Sequence, residues 1–204
     1  AKMNNIRIRT ARPEDAIELL EIYAPYVRET AVTYEYTVPS KEEFASRIRH
    51  TMEKYPYLVA EKDGEILGYA YAGAFHPRAA YAWDAEMSIY IKKDRKRSGI
   101  GKTLYEALEK LLAEQNILNV YACIACPEEE DEYLTKDSIR FHERMGYRIV
   151  GEFRECAYKF GRWYGMVWME KRIGKSTADP AEVKSFDKSY QVESGIWKKK
   201  LEKN

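Results

Sequence analysis

This 204-residue chain has no excess of either charge: 34 Lys and Arg face 33 Asp and Glu, for a formal net charge of +1. That balance removes the global electrostatic argument for nucleic acid or an anionic membrane as a partner. No apolar run approaches the ~18 residues of a membrane-spanning helix, and no signal-peptide pattern is seen, so a soluble cytoplasmic protein is expected. Cysteine is scarce, with three residues. Cys123 and Cys126 form a C-x-x-C on an expected strand with no second pair nearby, which reads as buried structural thiols and no metal site. The usual phosphate-loop patterns fail too. Gly101-Lys102-Thr103 imitates the end of a P-loop, but Lys96 stands where that pattern needs glycine, and Leu104 takes the last glycine position of G-x-G-x-x-G. Tyrosine, by contrast, is abundant (17) and suits pockets that need a ring with a polar tip.

The stretch from Glu86 to Leu112 organises the rest. Met87-Ser88-Ile89-Tyr90-Ile91 is β-like because aromatic and β-branched residues dominate it. A cationic turn follows, then Gly99-Ile100-Gly101 and a helix with Leu104, Leu108, Leu111 and Leu112 at helical spacing. A strand, a basic glycine turn and a helix start make an anion site. The first backbone N–H groups of the helix lack intrahelical partners, and its dipole is positive there. Arg95, Lys96, Arg97 and Lys102 raise the local potential.

The flanking order is a strand at Ile6–Arg9, a helix from Pro13 that Pro25 should bend or end, and an extended loop from Ala31 to Val38. Ser40 with Glu43 then fits a capping box for a second helix. Asp63-Gly64 marks a hairpin between strands at 57–60 and 65–75. After the glycine-turn helix come a strand at 118–125, an acidic loop at 127–135 expected to be solvated, a helix at 138–145 stopped by Gly146, and strands at 147–153 and 163–169. This order predicts an α+β (α/β three-layer) sandwich: a mixed, twisted sheet with helices on both faces. Residues 173–204 read as a polar extension that docks on a neighbour or stays mobile.

Lys96-Arg97-Ser98-Gly99-Ile100-Gly101 resembles the pyrophosphate loop of the GNAT N-acetyltransferase superfamily, with lysine where Gln or Arg is usual. Lys54 to Glu61, Gly68 to Gly73, Ala85-Glu86, Leu104-Tyr105, Phe141-His142-Glu143 and Gly146-Tyr147 follow at intervals similar to those of its phosphinothricin acetyltransferase branch. The resemblance covers roughly residues 6–172. It implies a sheet splayed between the strand ending at Ile91 and the next one, with the pantetheine arm of acetyl-CoA entering there. It also implies a homodimer, and acetylation of the amine of an amino acid or analogue.

An amine attacks a thioester only as the free base, and deprotonating an amino-acid ammonium near neutral pH costs about 3–4 kcal/mol at ~1.36 kcal/mol per pH unit. A nearby general base lowers that cost. Glu86 matches the family's catalytic glutamate; otherwise it is a carboxylate paired with a neighbour such as Arg78. His142 matches a residue near the branch's reaction centre, or is a packed helical histidine. Main chain at Ile89, Tyr90 and Ile91 would meet the pantetheine and the developing oxyanion. Arg97, Ser98, Gly99, Ile100, Gly101 and Lys102 would hold the pyrophosphate, with Ser138 near the same arm.

For the amine, the resemblance places Arg78 against acidic groups of the substrate. Tyr34, Tyr36, Phe75, Tyr81 and Trp83 would wall the pocket, or pack the core or a dimer. Lys159 to Trp163 resembles a segment used from the adjoining subunit, although Gly165 replaces an acidic residue common there. Two alternatives stand beside this reading: acetylation of another amine (a polyamine or a protein N-terminus), and a non-catalytic acyl-CoA-binding domain.

Overall fold

A computed structural model describes residues 6–193 and 196–199. Seven strands form one sheet in the order β1-β2-β3-β4-β5-β7-β6: β1 Arg7–Thr10, β2 Tyr57–Lys62, β3 Glu65–Ala74, β4 Asp84–Ile91, β5 Asn119–Cys126, β6 Arg148–Lys159 and β7 Arg162–Arg172. All neighbours pair antiparallel except β4 and β5. The four helices are α1 Ala16–Glu29, α2 Lys41–Met52, α3 Ile100–Glu114 and α4 Asp137–Arg144.

Local chemistry sets several of these boundaries. Asp63 and Gly64 both take positive φ, 52° and 79°, as a tight two-residue hairpin turn requires. The Ser40 hydroxyl accepts the Glu43 N–H at 3.1 Å and caps α2. Gly146, at φ 91°, ends α4. Pro25 does not end the first helix, so of the two expected effects only a bend is left. The carbonyl whose N–H partner it removes belongs to exposed Glu21.

Side chains alternate across the sheet and divide it into two cores. One face packs Leu58, Ala70, Met87 and Val120 against Leu104, Leu108 and Leu112 of α3 and Ile139 of α4. The other packs Tyr57, Val59 and Tyr69 against Leu19 and Ile22 of α1 and Phe44 and Ile48 of α2. Along β4, Ala85 and Met87 therefore face α3, and Glu86, Ser88 and Tyr90 face the α1/α2 side.

Residues 173–186 of the C-terminal extension lie along their own domain. Ile173 and Gly174 donate to Leu118 O, Asn116 Nδ2 donates to Glu182 O, and Gln115 Nε2 donates to Lys184 O. Phe186 is buried in the α3-side core and donates its N–H to Lys54 O at 2.9 Å. A hairpin of Tyr190–Glu193 with Ile196–Lys199 follows. Residues 194–195 and 200–204 of the extension lie outside the described residues.

The acidic segment 127–135 is likewise engaged and not merely solvated. Arg162 pairs with Asp131 at 3.1 Å and Glu132 at 2.9 Å, Tyr164 donates to Asp131 at 2.7 Å, and Tyr133 stacks on Phe160 at 4.2 Å. Ala31 N–H donates to Tyr133 O, and Lys159 Nζ donates to Thr33 O at 2.8 Å. The α1–α2 loop, the β5–α4 loop and the β6–β7 turn are thus joined within one chain.

Candidate active site

The parallel pair β4–β5 holds together for three residues only, Asp84↔Asn119, Ala85↔Val120 and Glu86↔Tyr121, and then diverges. Beyond that point a cavity of about 720 Å³ opens between the strands. The direction of the β4 backbone follows from one bond. Lys92 N–H donates to Leu67 O at 2.8 Å, so even-numbered residues of β4 bond β3, and the amides of Met87, Ile89 and Ile91 turn towards the gap. This strand edge has lost its partner and is ready to pair with an extended amide-bearing ligand. Tyr90 main chain therefore serves β3, and its ring packs edge-on against Tyr23 and Tyr26.

At the far end of the cavity the basic turn leads into α3. Gly99 is the N-cap residue in the left-handed region, φ 83°, and Arg97 shares that region at φ 62°. No side chain caps the helix, and no acidic residue lies in its first turn, so the N-terminal N–H groups and the dipole are available to an anion. Arg97, Ser98, Gly99, Gly101 and Lys102 line the cavity, as do Ser138 and His142 of α4. Ile100 is buried at 2% exposure in the core, so its side chain stays off the wall while its main-chain N–H stands at the helix start. A Cβ on Gly101 would stand 3.1 Å from the Phe141 ring, so this glycine lets α3 and α4 approach each other.

Glu86 stands at the vertex of the splay, half-buried, on the α1/α2 face. Among the described residues it has no ion-pair partner, and burial alone pushes its carboxyl above the usual range. The pairing with Arg78 is not realised. Arg78 is exposed on the 75–83 loop, and its backbone N–H donates to His76 Nδ1 at 3.4 Å. Cys123, one residue pair beyond the vertex, shares the Glu86 face and lines the cavity. Burial of its sulfur and the Glu86 carboxylate push its thiol up to about 11, so it stays neutral. Cys126 is buried, and its odd separation from Cys123 places it on the opposite sheet face, so the C-x-x-C cannot converge on one ion.

His142 is almost fully buried, at 2% exposure. Its Nδ1 lies 2.7 Å from Ser138 O, which can only accept, so the proton is on Nδ1; Nε2 then accepts the Tyr105 O–H at 2.7 Å. Burial pushes the imidazole down to about 4, and its one lone pair is already taken.

The substrate-side candidates are scattered. Tyr34 donates its hydroxyl to Gly165 O, and Tyr36 donates to Tyr158 O. Tyr81 touches Phe75, whose ring stacks on Tyr121 at 4.3 Å beside Glu86. Trp83 lies at the closed end of the splay, where its indole N–H donates to Ala181 O at 2.9 Å. The β6–β7 turn packs on its own chain.

Two site residues escaped the sequence reading. Tyr26 donates its hydroxyl to Ile91 O, at the open edge of β4, beneath the Lys96 ammonium 5.2 Å from its ring. Tyr105 lines the cavity as well. Each sits in a helical apolar stripe, where nothing local separates a site tyrosine from a core one.

Comparison with known proteins places this geometry. A family model described as an acetyltransferase (GNAT) domain matches residues 8–168. The chain is 34% identical over 172 residues to a phosphinothricin N-acetyltransferase of Streptomyces coelicolor, covering 82% of this chain and 96% of the relative. It is 30% identical over 175 residues to an L-methionine sulfoximine/L-methionine sulfone acetyltransferase of Pseudomonas paraeruginosa, covering 85% and 98%. The crystal structure of a GNAT superfamily phosphinothricin acetyltransferase of Sinorhizobium meliloti in complex with AcCoA superposes with a TM-score of 0.79 at 32% identity, covering 87% of this chain and 94% of that one.

Proposed function

This chain belongs to the GNAT acetyltransferase family, and from that premise we propose that it moves the acetyl group of acetyl-CoA onto the amine of an amino acid or analogue of the phosphinothricin or methionine sulfoximine kind. One observation carries the reading: the sheet opens immediately after an unpaired, half-buried carboxylate, into a cavity that ends at an uncapped helix start.

The main-chain groups of Ile89 and Ile91 pair with the pantetheine amides, with Tyr26 sharing the Ile91 carbonyl. Arg97, Ser98, Gly99, Gly101 and Lys102 hold the diphosphate, and Ser138 flanks it. Glu86, directly or through a water, takes the proton of the substrate ammonium. The free amine attacks the thioester carbon, the oxyanion is met by backbone N–H on the gap side of β4, and collapse releases the thiol. His142 keeps the Tyr105 hydroxyl fixed on the cavity wall and acts by positioning. Tyr81 reaches the amine side through Phe75 and Tyr121, and Arg78 stands on the same loop.

The protein acts in the cytoplasm as a homodimer. The apolar side chains Ile149, Phe153 and Trp163, exposed on edge strand β6 and on β7, support the dimer. Calorimetric titration with acetyl-CoA, followed by thiol release over a panel of amino acids, phosphinothricin, methionine sulfone and polyamines, tests the reading. Binding with turnover on amino-acid amines is expected. Turnover confined to polyamines, or binding without turnover on any amine, contradicts it.

A further inference from the structure

The sheet face that carries Glu86 also carries a second cavity, a recess of about 220 Å³ between α2 and strands β2 to β4. Tyr57, Tyr71, Tyr69 and Tyr90 form its floor, from two cross-strand rows: Tyr57, Tyr71 and Ser88 in one, and Val59, Tyr69 and Tyr90 in the other. The first row lies two residues along β4 from the row of Gly73 and Glu86, roughly 7 Å at the usual strand rise. The rings are already aligned. Tyr57 stacks on Tyr71 at 4.7 Å, Tyr69 on Tyr71 at 6.4 Å, and Phe44 closes edge-on against Tyr69 at 6.2 Å.

The charges at the rim are engaged with one another, and His50 beside them faces Glu53 at 3.7 Å. Glu35 is gripped by Arg47 at 2.6 Å and by the Tyr23 hydroxyl at 2.8 Å, and Arg47 also holds Glu43. The rim loop is fixed in place by Tyr23 on Thr33 and by Lys159 on Thr33 O. On the floor, burial holds the phenols of Tyr57, Tyr69 and Tyr90 far above their usual range, so they remain neutral.

A charged tail entering this recess would lose its water and meet no free counter-charge. A flat neutral ring would lose little and gain stacked faces. The size agrees: an apolar cavity of ~150 Å³ accommodates a benzene ring, and 220 Å³ leaves room for one or two fused rings. We infer that the recess seats an aromatic side chain of the amine substrate, so that aromatic amino acids and their close analogues are accepted beside the phosphinothricin and methionine sulfoximine kind. The inference rests on the proposed amine acetylation and adds to it the identity of the side chain.

The test is a ranking of kcat/KM for wild type over L-phenylalanine, L-tryptophan, L-alanine, L-glutamate and L-lysine, with Thr51→Phe beside it. Thr51 lines the recess from α2, and a ring there fills it. Wild type should favour phenylalanine or tryptophan over alanine at least tenfold, and Thr51→Phe should reduce that ratio at least tenfold through KM. No aromatic preference in wild type, or a ratio that survives in a folded Thr51→Phe protein, overturns the inference. Should the variant fail to fold, the wild-type ranking decides. Should no amine be acetylated, the functional reading falls, and saturation-transfer NMR of phenylalanine ring protons on wild type judges the recess alone: transfer supports it, and absence of transfer overturns it.

Discussion

His142 gives the sharpest quantitative test of the site's internal wiring. Its imidazole is neutral in the fold and titrates at about 4, against an ordinary value near 6.5. Between those pH values the unfolded chain binds one more proton than the native one, so stability falls as pH falls. At about 1.36 kcal/mol per pH unit, the interval is worth roughly 3 kcal/mol, fully expressed above pH 6.5 and gone below pH 4. Replacing His142 by Leu removes this titration and leaves the buried Tyr105 hydroxyl without its acceptor, at a cost of about 1–3 kcal/mol at pH 7. Urea unfolding of wild type and His142→Leu at pH 7, 6, 5 and 4 separates the two effects, because the other carboxylates titrate alike in both proteins. Wild type should be the more stable at pH 7, and the gap should close or reverse by pH 4. A gap independent of pH would refute the tautomer and burial argument.

Two other outcomes follow from packing. Phe186→Ala should cost about 3 kcal/mol in urea unfolding, as for a large core truncation, because the ring is buried at 7% exposure under the extension; a loss under about 0.5 kcal/mol, the scale of a surface change, would show the extension to be undocked. Gly101→Ala should leave the protein folded but weaken acetyl-CoA binding, read by calorimetry, by about tenfold or 1.4 kcal/mol, because the added methyl displaces Phe141 from the cavity wall. Unchanged affinity would mean that the α3–α4 approach does not shape the site.

The features legible in the sequence are those written in short-range chemistry. The Asp63-Gly64 turn, the Ser40 cap, the Gly99 helix start and the Gly146 stop each depend on residues within a few positions, and each stands as read. Glu86 was legible as a candidate only through the family resemblance, not from the β pattern around it. Contacts between distant segments were not. Nothing near Trp83 announces Ala181, nothing near Tyr26 announces the Ile91 carbonyl, and the acidity of 127–135 reads as solvation until Arg162 and Tyr164 arrive from more than 30 positions away. Composition also left His142 open between a reaction-centre and a packed role. A helical histidine looks the same whether its lone pair is free or committed to a phenol.

The claim on which the rest turns is that Glu86 takes the ammonium proton at the mouth of a filled cofactor cleft. The direct measurement is kcat across pH 5–9 for wild type and Glu86→Gln, with acetyl-CoA affinity determined in parallel. Loss of a general base should lower turnover by about 10²-fold or more near neutrality, with the deficit shrinking as alkaline pH deprotonates the amine, and with affinity for acetyl-CoA within about twofold, or 0.4 kcal/mol. Equal turnover in the two proteins at pH 7 would contradict the assignment.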